Sequence, residues 1–245
     1  MLALSAAYWL EMGNCTGLLG SWDLGMRGSG VLKGKGDLHS LIPKWARPGD
    51  WGPATSWSPD LSHSKIRVRL GEHNLRLWDG VEQLRGVAYA FPHPRYEKRG
   101  HHDDIMLLRL NRPVCLSNSI RPVALPTRCP RQGEQCVVSG WGLVAEFKNV
   151  KLPNTLHCAN ISILPTTSCN TDYRGQVTDT MVCAGVEGGG TDSCEGDSGG
   201  PLVCGGALQG IVSWGDVPCD TTTKPGVYTK VCKYLGWIRD VMRKN

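Results

Sequence analysis

Ten of the eleven cysteines lie from Cys115 onward, and no two of them show the C-x-x-C spacing of a zinc site. Such density excludes an ordinary cytosolic chain and implies disulfides made in an oxidising compartment. Eleven is odd, so at least one thiol is left over. The same part of the chain is built from short β-rich runs. "IRVRL", "GVAYAF", "IMLLRL", "QCVVSGWG", "ALQGIVSW" and "GVYTKV" alternate with turns rich in Gly, Pro, Asn and Asp, at the spacing of an antiparallel barrel or sandwich. With 245 residues and 40% apolar content, the chain has room for one large all-β domain or two smaller lobes. Helix is expected only at the end. There "YLGWIRDVMRKN" places Leu235, Ile238 and Met242 at helical spacing, with basic residues in the last turn.

Residues 1–65 differ in kind. They are dense in Gly, Pro, Ser and Trp, fit neither a period of 2 nor one of 3.6, and are expected to form an irregular or disordered leader. "MLALSAAYWL" is apolar but short, lacks a basic start and runs into Glu11, so it is a poor match to a signal peptide. The formal charge of +5 is spread along the chain without a basic run interleaved with aromatics, which argues against nucleic acid as a partner. No stretch approaches the roughly 20 apolar residues that span a bilayer, so no membrane partner is expected. Two glycosylation sequons, at Asn14 and Asn160, fit a secretory route but recur by chance.

Chemistry enters with "CEGDSGGPLVC", Cys194 to Cys204. Gly196 lets backbone approach a ligand closely, and its amide together with that of Ser198 can donate to a developing oxyanion. Ser198 is a candidate nucleophile, but a hydroxyl at its free pKa needs a base. The runs "LGEHNL", "PHPRY", "DDIMLLRL", "CVVSGWG", "DTMVCAG", "DSCEGDSGGPLVC", "GIVSWG" and "KPGVYTKV" occur in that order over residues 66–245. On these motifs the chain resembles a trypsin-like serine endopeptidase of the chymotrypsin fold, and most of all the kallikrein-related peptidases.

The resemblance implies two antiparallel six-stranded barrels and a C-terminal α-helix. Residues 66–114 supply only part of the N-terminal barrel, and residues 115–245 supply the C-terminal barrel and helix. It implies hydrolysis of peptide bonds after Arg or Lys through an acyl-enzyme on Ser198, with Asp104 orienting an imidazole and Asp103 an exposed neighbour. Gly196 and Ser198 would form the oxyanion hole. Asp192 would lie at the base of the S1 pocket, Ser213, Trp214 and Gly215 would form its wall and the substrate-pairing strand, and Gly226 would keep it open. Asp197 would pair with the ammonium of a newly cut N-terminus. The implied disulfides are Cys129–Cys232, Cys136–Cys204, Cys169–Cys183 and Cys194–Cys219, which leaves Cys15, Cys115 and an orphaned Cys158. Expected partners are protein substrates and protein protease inhibitors, with a secreted monomer and no cofactor or metal.

The chain also departs from that family. None of the histidines, His39, His63, His73, His93, His101, His102 and His157, lies in an Ala-Ala-His-Cys motif. The nearest echo is "LSAAYW", with Tyr8 in the His place, and a phenol of pKa about 10 is a poor base at neutral pH. His63 is the candidate substitute base by its distance from "RVRL", although it follows an unpatterned leader. His101 and His102 read as a solvated loop pair, and His73 as a strand-end residue without a catalytic role. No Ile-Val-Gly-Gly-like start occurs, so the loop around Asp197, the oxyanion donors and the S1 pocket are expected to relax. Two functions follow: an endopeptidase cleaving after Arg or Lys, or an inactive pseudoprotease or alternative isoform.

Overall fold

A computed structural model describes residues 2–4, 29–32, 66–144, 152–190, 192–216, 219 and 224–245. In its second half the period-two pattern closes a barrel. The strands are β6 (Gln135–Gly140), β7 (His157–Ile163), β8 (Met181–Gly185), β9 (Pro201–Cys204), β10 (Ala207–Trp214) and β11 (Gly226–Lys230). They close in the order β10-β11-β8-β7-β6-β9, with antiparallel neighbours throughout. Alternate residues, among them Cys136, Val138, Ile161, Ile163, Val182, Leu202, Val212 and Tyr228, fill the interior. Closure leaves no edge, which is how a short-stranded sheet satisfies all its backbone groups.

The first half contains β3 (Arg67–Glu72), β4 (Gln83–Pro92) and β5 (Met106–Leu110), packed over Val68, Leu70, Val87, Leu108, Leu110, Val114 and Ile120. Two short strands from the leader extend this sheet: β1 (Leu2–Leu4) pairs with β5 and β2 (Ser29–Leu32) pairs with β3, giving the order β1-β5-β4-β3-β2. The composition of the leader predicted no strand there. Edge strands accept any segment that offers backbone donors and acceptors, whatever its side-chain pattern. The rest of the leader, with Tyr8, Cys15, His39 and His63, lies outside the described residues.

Strand β10 joins the halves. It is buried from Leu208 to Ser213, the signature of a strand covered on both faces. Val212 points into the barrel, whereas Leu208 and Ile211 pack with Ile105 and Leu107 of the first half and with Val231, Tyr234 and Ile238 near the C-terminus. The final helix, α2 (Leu235–Lys244), forms where helical spacing predicted it, but its buried stripe is shifted. Ile238 is fully buried with Tyr234, Trp237 and Val241 beside it, while Met242 is 47% exposed. A helix laid across a strand buries the side facing that strand, and Met242 lies past the contact. The sequence did not predict α1 (Thr166–Asp172), whose Thr, Ser and Asn content is poor in helix formers.

Four disulfides between described residues reinforce the barrel: Cys129–Cys232, Cys136–Cys204, Cys169–Cys183 and Cys194–Cys219. Cys136 and Cys204 face each other across β6 and β9, whereas Cys129–Cys232 spans 103 residues and restricts the unfolded chain most of these four. Cys158 is not orphaned. It too is disulfide-bonded, and its partner lies outside the described residues. Cys115 is the exposed free thiol among the described residues.

Ile238→Ala removes a fully buried side chain at the junction of the halves and is expected to cost about 3 kcal/mol, read from the midpoint of urea unfolding.

Candidate active site

Ser198 lies in the turn between the Cys194–Cys219 disulfide and β9, and the backbone fixes that turn tightly. Gly199 donates to the Val212 carbonyl at 2.8 Å, Gly200 to Asp197 at 2.7 Å, and Asp197 to Cys194 at 3.0 Å. Gly196 has φ +99°, a region closed to most side chains, and its backbone packs on Gly142. The carboxylate of Asp197 turns inward, accepting from the Gly142 amide at 2.7 Å and the Cys194 amide at 2.9 Å. It lies against the α-carbons of Gly140 and Gly142, where a Cβ at either position would overlap it. Burial pushes the Asp197 carboxyl above its ordinary range, opposed by these two amides and by His157. A relaxed loop was expected here. The arrangement is tight because two backbone donors meet the carboxylate directly, which offsets much of its desolvation.

Asp104 precedes β5 and is tied to both neighbouring barrel strands. Ser213 Oγ of β10 donates to its carboxylate at 2.7 Å, and Thr229 Oγ1 of β11 donates to its carbonyl at 2.7 Å. Tyr96 lies close enough that burial and the Asp104 charge push its hydroxyl up to about 12. Asp103 is not the exposed neighbour that the sequence suggested. It is 13% exposed, takes a left-handed φ of 51°, accepts from Tyr234 Oη at 3.0 Å and pairs with Arg95 at 3.4 Å. Successive residues in this turn point to opposite sides, so one acid reaches β10 while the other reaches the residue that precedes α2.

Asp192 is partly buried beneath the mouth of the barrel. Its Oδ1 accepts from the Ser193 amide at 2.6 Å and from Tyr228 Oη at 3.2 Å. A Cβ at Gly226 would collide with the carboxylate, so that glycine is the condition for the acid to occupy this place. Burial raises the Asp192 carboxyl to about 6, partly countered by these donors, with the charge of Asp197 adding to the rise. Trp214 packs edge-on against Tyr173 with centroids 4.7 Å apart, and Tyr173 Oη donates to the Pro225 carbonyl at 2.7 Å. Gly215 runs beside Gly226.

The histidines separate. His101, expected to be solvated, stacks on Trp214 with centroids 5.8 Å apart, its backbone at φ 53°. His102 stays in the loop, 3.8 Å from Glu97. His73 contributes its carbonyl, which accepts from Trp141 Nε1 and the Leu156 amide. Motif reading missed the supporting groups Ser193, Tyr228, Thr229, Tyr173 and Tyr96, since none of them carries a catalytic pattern of its own.

With the barrel, the serine turn and its acids in place, comparison with known proteins decides the lineage. A family model described as Trypsin matches residues 59–238. The chain belongs to the trypsin family of serine proteases. Kallikrein-15 of Homo sapiens is 66% identical over 201 residues, covering 77% of this chain and 78% of that protein. Kallikrein-11 of Mus musculus is 50% identical over 199 residues, 78% of this chain and 72% of that protein. Trypsin-3 of Salmo salar is 46% identical over 195 residues, 78% of this chain and 81% of that protein. A trypsin-family chain related to kallikreins is by family a serine endopeptidase, a hydrolase whose substrates are proteins, and its four disulfides fit an oxidising compartment.

The Asp192 carboxyl is raised to about 6 from a usual value near 4, so its burial costs nothing below pH 4 and progressively more as pH rises through 6. Asp192→Asn, which keeps an accepting oxygen but no charge, is therefore expected to stabilise the protein by up to about 3 kcal/mol at pH 7 and by almost nothing at pH 4. Urea midpoints at the two pH values provide the measurement.

Proposed function

We propose that this trypsin-family chain recognises Arg or Lys side chains through Asp192 and presents Ser198 as the acyl-accepting nucleophile. The observation that carries the reading is the partly buried carboxylate of Asp192, given its place by Gly226 and steadied by Ser193 and Tyr228. A guanidinium or ammonium entering beside Trp214 and Gly215 would compensate a charge that burial has made costly, and an apolar side chain would not. Ser198 Oγ would attack the scissile carbonyl, with the Gly196 and Ser198 amides receiving the negative charge that develops on its oxygen. Asp104, tied to Ser213, would orient an imidazole. A secreted, monomeric protein open to protein protease inhibitors fits this reading.

Turnover also requires a group that takes the Ser198 proton. No Ala-Ala-His-Cys motif occurs in the sequence; its nearest echo, Ala-Ala-Tyr-Trp at residues 6–9, offers a phenol, which does not supply a neutral-pH base. In triad enzymes, loss of the base costs on the order of 10⁶ in kcat, roughly 8 kcal/mol of transition-state stabilisation. The chain as written is thus read as binding-competent and catalytically suppressed, a pseudoprotease or isoform of an Arg/Lys-directed endopeptidase.

Two measurements test these statements separately. p-Aminobenzamidine is expected to bind with fluorescence enhancement, to lose affinity about tenfold per pH unit well below 6 as Asp192 protonates, and to fail with Asp192→Ser. A fluorophosphonate probe is expected to label Ser198 only very slowly. Stoichiometric labelling within minutes, abolished by Ser198→Ala and by His63→Ala, would show an intact catalytic apparatus and end the pseudoprotease reading.

A further inference from the structure

His157 stands at an unexpected place in the barrel. Residues on one face of a strand alternate, and on β7 Ala159, Ile161 and Ile163 belong to the barrel interior, facing Val138 and Cys136 of β6. Two residues back along the same face comes His157, paired with Gly140, which continues the inward series of Cys136 and Val138. His157 itself is exposed, so it stands where this face of the strand opens to solvent.

Directly opposed residues in an antiparallel pair project to the same side, with Cβ atoms about 5 Å apart. The direction a Cβ would take from Gly140 runs into the Asp197 carboxylate. The Cβ of His157 therefore leaves β7 on the side of the sheet where the Asp197 carboxylate lies, at the exposed mouth of the barrel, with that carboxylate within range of its charge. The amides of Gly142 and Cys194 satisfy hydrogen bonds of that carboxylate but do not neutralise it.

We propose that His157 is a positioning residue: when protonated, its imidazolium supplies the positive charge that holds the Asp197 carboxylate in the mouth of the barrel. Through Asp197 it keeps the 192–200 turn in a form that binds a cationic side chain. The other titratable groups facing Asp197 are Asp192 in the same turn and the Tyr228 hydroxyl on β11, both of which oppose its ionisation when charged. Glu195 is exposed in the turn, and β6 contributes no charged side chain. Glu146, Lys148 and Lys151 lie outside the described residues. The direction of the His157 influence on Asp197 agrees, lowering a carboxyl that burial raises. An exposed imidazole acts through solvent, so the effect is modest.

The direct test changes only the exposed histidine. In protein labelled with ¹³C at aspartate carboxyls, the Asp197 signal is titrated in the native chain, in His157→Ala and in His157→Lys. His157→Ala should raise the proton affinity of Asp197 about threefold, and His157→Lys should leave it at or below the native value. An unchanged midpoint in His157→Ala overturns the proposal. The functional arm rests on the reading of Asp192 as the S1 acid. The p-aminobenzamidine dissociation constant of His157→Ala, divided by that of His157→Lys, should be about threefold at neutral pH. Ionisation of Asp192 is common to both proteins and cancels. A ratio of one, with binding intact, also overturns the proposal. If neither protein binds the probe at any pH the S1 reading fails, and the carboxyl titration still decides the role of His157.

Discussion

Burial of the Asp197 carboxylate beneath its own turn is the constraint on which the site depends. A charge in that place needs donors, and the Gly142 and Cys194 amides provide them only because Gly140 at the end of β6 and Gly142 just beyond it let the carboxylate lie on bare backbone. The contact ties the end of one barrel strand to the turn that carries Ser198. It also brings Asp197 close enough to Asp192 for each acid to raise the cost of ionising the other. Two carboxylates in one loop are expensive to fold, and the Cys194–Cys219 disulfide closes that loop covalently.

The second organising element is β10, with one face in the barrel and the other against β5 and α2. Its last residues serve the site: Ser213 holds Asp104 from the first half, Trp214 lies between His101 and Tyr173, and Val212 exchanges hydrogen bonds with the serine turn. Damage to the junction packing around Leu208, Ile211 and Ile238 would therefore misalign Asp104 relative to Ser198 without touching either residue. Stability and the geometry of the candidate site share one strand.

Much of the fold was legible in the sequence. The runs "ALQGIVSW" and "GVYTKV" read as strands and contain β10 and the whole of β11, because period and β-branched content are local properties. The helix α1 was not, since its residues are poor helix formers held by the Cys169–Cys183 bridge and by Tyr173, both tertiary effects. Met242 matched the helical stripe yet faces solvent, because a hydrophobic period marks a face without marking where the partner strand stops.

What the sequence by itself determined is the lineage-bearing pattern: the strand runs, the cysteines, the serine turn and the acids spaced around it, along with the missing Ala-Ala-His-Cys. What only the tertiary structure decided is the environment of each titratable group. Asp103 and Asp104 are adjacent and chemically identical, yet one meets Tyr234 and Arg95 and the other Ser213. His101 left the solvent for Trp214, and His157 gained meaning from a glycine opposite it on another strand. Burial and charge pairing are set by residues distant along the chain. A local window of sequence contains neither Tyr234 with Asp103 nor Ser213 with Asp104, and cross-strand register becomes definite only once the barrel closes.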